Sequence, residues 1–104
     1  MQAVINKIEN MSTIQLFLSK LESADNVAKN EIENMLVNIG TSAVPELVDQ
    51  LQIVRGVKRG VVAMTLIRIG SASVEHLQKA AAQNKDFEWV AKYLITEING
   101  PIAA

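Results

Sequence analysis

The 104-residue chain holds one histidine, His76, no cysteine, and eleven Asp and Glu residues. Side chains able to bind a metal or trade protons are therefore few, and their spacing decides what they can do. A tetrahedral metal site gathers three or four ligands from Cys, His and carboxylates. His76 has no second histidine and no thiolate to join it, which makes it a surface or cap-adjacent residue in the first turn of its helix. The carboxylates Glu31, Glu33, Glu46, Asp49 and Glu97 are scattered. Acid–base work by carboxylates needs two of them across a cleft with separated pKa values, and no spacing here enforces that. The serines and threonines stand at helix starts, where capping explains them, and none lies in a nucleophile elbow. Gly56 and Gly60 lack the Lys-Ser/Thr pair that completes a phosphate loop. The expectation is a non-catalytic chain with no catalytic residues, no metal ligands and no cofactor.

What remains is recognition chemistry, carried by two groups of residues. Trp89 and Tyr93 are the chain's single tryptophan and single tyrosine. Four residues apart, they share one side of a helix, and that side is not the stripe of Phe87, Ala91, Leu94 and Ile98. Aromatic residues outside a core stripe desolvate a large area while keeping a polar tip, so they concentrate at binding hot spots. The alternative is that the pair closes the end of the core against the tail or a preceding loop, and both readings stay open. The second group is basic: Arg55, Lys58, Arg59 and Arg68 fall near one hairpin and could face phosphate or an acidic partner. A solvated helix start, with pairing to Glu88, Asp86 or Asp49, is the more economical expectation.

Positioning these groups falls to a repeating unit. Ile39-Gly40-Thr41-Ser42-Ala43-Val44 returns as Ile69-Gly70-Ser71-Ala72-Ser73-Val74, and Gly100 stands thirty residues after Gly70. A fixed period of this size marks an array of supersecondary units. Each unit reads as apolar helix, glycine stop, hydroxyl restart and apolar helix, a hairpin that buries its oily face by stacking on its neighbours. The predicted organisation is a single all-α domain, with a cap helix over 1–11, repeats over 12–40, 41–70 and 71–100, and a tail over 101–104. Ser12 with Gln15 three residues on reads as a capping box, followed by an inward stripe of Ile14, Phe17, Leu18 and Leu21. The next helix carries Ile32, Met35, Leu36 and Ile39 and ends at Gly40, expected in the left-handed conformation. Thr41 or Ser42 restarts the chain, Pro45 occupies the first turn, and Val44, Leu47, Val48 and Leu51 face inward. Gly60, inside the helix of about 57–69, is expected to mark a close approach between helices. Ser71 or Ser73 caps the third unit, which sends Val74, Leu77 and Ala81 inward. Its last helix buries Phe87, Val90, Ala91, Leu94, Ile95 and Ile98.

Composition narrows the class further. With 49% hydrophobic and 20% charged residues the chain has the balance of a globular domain rather than a disordered one. Ten basic against eleven acidic residues give a formal charge of −1, so no overall field attracts nucleic acid or an anionic membrane. The apolar run from Val61 to Ile67 is cut by Arg68, far short of bilayer thickness. The chain begins without a basic segment leading into a long apolar stretch. A cytoplasmic location is the expectation.

The segment Lys58-Arg59-Gly60-Val61-Val62-Ala63-Met64-Thr65-Leu66-Ile67-Arg68-Ile69-Gly70, followed by Ser-Ala-Ser-Val, resembles the second helix of a short HEAT repeat of the phycobilisome-lyase type. In that pattern an arginine near the helix start, small residues inside and Leu-x-x-Ile-Gly at the end recur. Arg59 matches the arginine, Lys29 substitutes for it in the first unit, and Glu88 departs from it in the last. The resemblance covers nearly all of residues 12–100. It implies an all-α, right-handed α-α superhelix of the HEAT/armadillo type, a solenoid whose second helices line a concave surface that holds a protein partner. Aligning the units puts Asn30, Gly60 and Trp89 in one row, Asn34, Met64 and Tyr93 in the next, and Val37, Ile67 and Thr96 in a third. The expected partner-binding residues are Asn34, Met64, Ile67, Trp89, Tyr93 and Arg59. The resulting expectation is an interaction scaffold for another protein or a second copy of itself. A chromophore (bilin) lyase or lyase accessory subunit is the alternative that the resemblance brings, and a helical-repeat nucleic-acid binder is a third.

Overall fold

A computed structural model describes residues 12–100; the cap helix expected over 1–11 and the tail over 101–104 lie outside the described residues. Ser12 starts the first helix as its spacing predicts: its Oγ accepts the Gln15 N–H at 2.9 Å, and Gln15 Oε1 accepts the Ser12 N–H at 3.1 Å. These reciprocal bonds satisfy two amides that a helix start otherwise leaves unpaired. Helix α1 (Thr13–Ser19) follows and runs into a 3₁₀ turn at Lys20–Ser23. Asp25 then caps α2 (Asn26–Ile39) by accepting the Ala28 N–H at 2.8 Å. The remaining α-helices are α3 (Val44–Leu51), α4 (Gly56–Ile69), α5 (Val74–Gln83) and α6 (Glu88–Asn99). The described residues are helical throughout apart from short connections, contain no strand, and include no helix long and apolar enough to cross a membrane.

The junctions between units differ in mechanism from the expected stop and restart. Gly40 and Gly70 end α2 and α4 with positive φ, but with ψ of −146° and −142° they are extended rather than left-handed helical. That combination belongs almost wholly to glycine. Each donates its N–H back to the helix, to the carbonyls of Leu36 and Leu66 respectively. The chain then passes through a 3₁₀ turn, Gly40–Ala43 or Gly70–Ser73, straight into the next α-helix. Thr41, Ser42, Ser71 and Ser73 therefore do not cap. The residues at the cap positions, Ala43 and Ser73, are already in the right-handed helical region, whereas a side-chain cap needs extended backbone to aim its oxygen at the following amides. Ser73 does something else: its buried hydroxyl donates to the Leu66 carbonyl at 2.9 Å. The start of α5 is thereby tied to the end of α4.

Each hairpin packs internally, α1 on α2, α3 on α4 and α5 on α6. Sideways, α2, α4 and α6 adjoin in that order as one layer, and α3 and α5 adjoin in the other. The Ser12 hydroxyl donates to Glu46 Oε2 and links α1 to α3. The core lies between the layers, where Leu36, Val44, Leu47, Val62, Leu66 and Leu77 have no exposed surface. Thr65 is equally buried, and its hydroxyl is satisfied by the Val61 carbonyl at 2.7 Å.

The expected inward stripes of α3 and α6 are buried or packed against the core. Two positions on α2 are not: Met35 is 44% and Ile39 37% exposed. Among the described residues α2 has a second-layer neighbour on one side alone, so its outer flank stays open. Thr65, thirty residues on in α4, is flanked by α2 and α6 and has no exposed surface. In α5 the second buried position is Ala80 rather than Ala81, and Val74 is half-buried. Gly60 corrects another expectation. It is exposed, and a Cβ added there would meet nothing within 4 Å, so no helix approaches it closely. Gly60→Ala is accordingly expected to raise stability by about 0.5–1 kcal/mol, because alanine restricts the unfolded chain and suits a helix interior. A urea midpoint that moves up checks this, and one that moves down contradicts it.

Candidate interaction surface

The second-helix layer carries the exposed aromatic side chains and most of the exposed large apolar ones, with Leu16 on α1 and Ile53 in the turn after α3 lying outside it. Helical spacing puts Trp89 and Tyr93 one turn apart on α6, away from Val90, Ala91 and Leu94, which fill the core. They are 69% and 59% exposed, so neither ring closes the end of the core. On the adjoining α4, Met64 is 47% exposed and Val57 is also open to solvent. On α2, Asn30 and Asn34 continue the same rows and are exposed too. Ile67, expected in this set, is half-buried and packed against the core. It sits one position past Leu66, toward the seam between layers, and contributes little free surface.

The four basic residues separate into two kinds. Lys58 Nζ pairs with Glu22 Oε2 at 2.7 Å, and Arg68 Nη1 pairs with Glu33 Oε2 at 2.9 Å while also donating to Asn34 Oδ1 at 2.8 Å. These partners replace the expected Glu88, Asp86 and Asp49. The reason is lateral stacking: the nearest carboxylates belong to the preceding unit. The hydrogen bond from Lys58, reinforced by its charge, holds the Glu22 carboxyl below its ordinary range. Because Glu22 is solvent-exposed, such a pair contributes little to stability. Arg55 and Arg59 are the other kind. Among the described residues neither has a carboxylate within 4 Å.

Arg55 and Arg59 line a groove of about 260 Å³ between the second and third hairpins, with Trp89 and Asp86 also on its walls. Its floor includes Leu51, Phe87 and Val90, all buried core residues. Gln52 closes one side: its Oε1 accepts from Asn84 Nδ2 at 3.1 Å, and its Nε2 donates to the Val48 carbonyl at 3.3 Å. Asn84 also accepts the Asp86 N–H at 3.1 Å, which shapes the turn into α6. The fold therefore brings Arg59 and Trp89, thirty residues apart in sequence, into one groove. Asn34 and Met64 lie further along the same layer. A second depression runs between α2 and α4, lined by Asn30, Glu33, Val57, Gly60 and Met64.

No protein-family model, curated protein or solved structure matches the chain.

The surface thus stands on its own geometry. His76 is half-buried on α5, and the described residues hold no group of three or more metal-ligating side chains close enough to share an ion. Gln52 and Asn84 were missed by reading the sequence. The signal that locates them is the repeat itself, since Gln52 and Asn84 stand thirty residues after Glu22 and Val54, both of which line the equivalent groove of the preceding unit.

Proposed function

We propose that the chain is a HEAT-like helical repeat segment, a short right-handed superhelix, that acts as a non-catalytic interaction module. In this reading the second helices form the inner face of the curve and hold another protein or a second copy of the chain. The observation that carries it is the exposure of Trp89 and Tyr93 in register with Met64 on the neighbouring helix. Large aromatic side chains left this open by a folded chain cost solubility, and interfaces are where such residues are put to use. The thirty-residue repeat and the lateral order of α2, α4 and α6 support the architectural half of the proposal.

The test is the double substitution Trp89→Ala with Tyr93→Ala. Partner binding, or self-association followed by sedimentation velocity, is expected to be lost, while the helical circular-dichroism spectrum and melting temperature stay as in the parent. Earlier melting by several degrees would make the two rings structural and remove the surface.

A further inference from the structure

Two neighbouring grooves, one unit apart and sharing Arg55 on their walls, differ in how their other cations are neutralised. In the groove between the first and second hairpins, Glu22 lies beside Lys58 and pairs with it. In the groove between the second and third hairpins the corresponding position, thirty residues on, is the neutral Gln52. Gln52 satisfies itself on Asn84 and Val48 and brings no charge, and among the described residues no carboxylate lies within 4 Å of the Arg55 or Arg59 guanidinium. Asp86 is the single carboxylate among the groove's lining residues, so the site keeps an excess of positive charge next to an exposed indole. On the reading that Trp89 belongs to an interaction surface, we infer that this groove takes an acidic peptide segment. A carboxylate side chain engages Arg55 and Arg59, and a neighbouring apolar side chain lies against Trp89. Arginine suits this role because its planar fork meets a carboxylate bidentately. The charge on Asp86 and the formal charge of −1 on the whole chain favour an isolated acid flanked by apolar residues over a dense polyanion such as nucleic acid.

Trp89 is the only tryptophan, so its emission reports the groove directly. The probe is a short peptide alternating glutamate and leucine, titrated into the full chain at low salt. Its control is the same peptide with glutamine for glutamate. The acidic peptide is expected to change Trp89 emission saturably, and the neutral one to bind about tenfold more weakly or worse, with added salt eroding the difference. Gln52→Glu supplies the carboxylate that the preceding groove already has, and is expected to weaken binding of the acidic peptide by about tenfold with both arginines and the indole in place. Arg55→Gln with Arg59→Gln is expected to act in the same direction, with unchanged circular dichroism. Equal binding of the two peptides, indifference to Gln52→Glu, no response to the acidic peptide, or tighter binding of oligothymidylate would each overturn the inference. Its failure is separable from that of the interaction surface. If Trp89→Ala with Tyr93→Ala abolishes association while Arg55→Gln with Arg59→Gln does not, the surface stands and the acidic ligand falls.

Discussion

Leu66→Ala is expected to lower the free energy of unfolding by about 2–5 kcal/mol, the range for removing a fully buried leucine side chain. Leu66 has no exposed surface and sits on α4, the helix that packs against α2, α3 and α6 together. Truncation leaves a space among these helices, which cannot all close on it at once. A small domain has only about 5–15 kcal/mol in total, so the variant should show a much lower denaturant midpoint at unchanged slope. Met64→Ala, two residues away on the 47%-exposed side chain, serves as the contrast and should shift the midpoint far less. Equal shifts for the two would mean that the inward face of α4 is misassigned.

Gly70→Ala is expected to destabilise by about 1–3 kcal/mol, the cost of holding a non-glycine residue in a sparsely populated backbone region. The cause is conformational and not steric, since an added Cβ at Gly70 meets nothing within 4 Å. With φ at 90° and ψ at −142°, the chain turns out of α4, returns the Gly70 N–H to Leu66, and brings Ser73 within reach of the same carbonyl. An L-residue that relaxes to negative φ would misdirect the 3₁₀ turn and loosen α5. Gly60→Ala, inside the helix that Gly70 ends, is the matched control: it too adds a methyl group to open space, yet its predicted effect has the opposite sign. Thermal or urea unfolding of the two variants side by side decides the matter. If both stabilise, the junction tolerates an ordinary residue and backbone conformation does not set the boundary between units.

The inner stripes were legible because helix geometry places residues three and four apart on one face whatever surrounds them. Val44, Leu47, Val48 and Leu51 were readable in this way, as were Val90, Ala91 and Leu94. Pro45 and the Ser12–Gln15 box were legible for a related reason, since the groups they serve lie within one turn. Met35 and Ile39 were not. Whether the flank of a helical stripe is covered depends on how many neighbours that helix has, which periodicity does not record. The hydroxyl residues after each glycine were not legible either, because a hydroxyl serves as a cap or as a tie to a carbonyl outside its own turn, as Ser73 does to Leu66, and the backbone angle at the cap position separates the two roles.

The candidate surface divides along the same line. That Trp89 and Tyr93 share a side of their helix distinct from its apolar stripe follows from spacing alone. That they remain uncovered does not. The ion pairs of Lys58 and Arg68 join residues 36 and 35 positions apart, and nothing local to either end indicates the match.

By itself the sequence determined an all-helical chain, the thirty-residue units, their glycine punctuation and the leucine-rich inner faces, because each depends on interactions within a few turns. Only the tertiary structure decided which cations are neutralised, that Gly60 faces open space, and that Arg59, Gln52 and Trp89 share one groove. Those outcomes depend on the lateral register between units, where side chains far apart along the chain compete for the same neighbours.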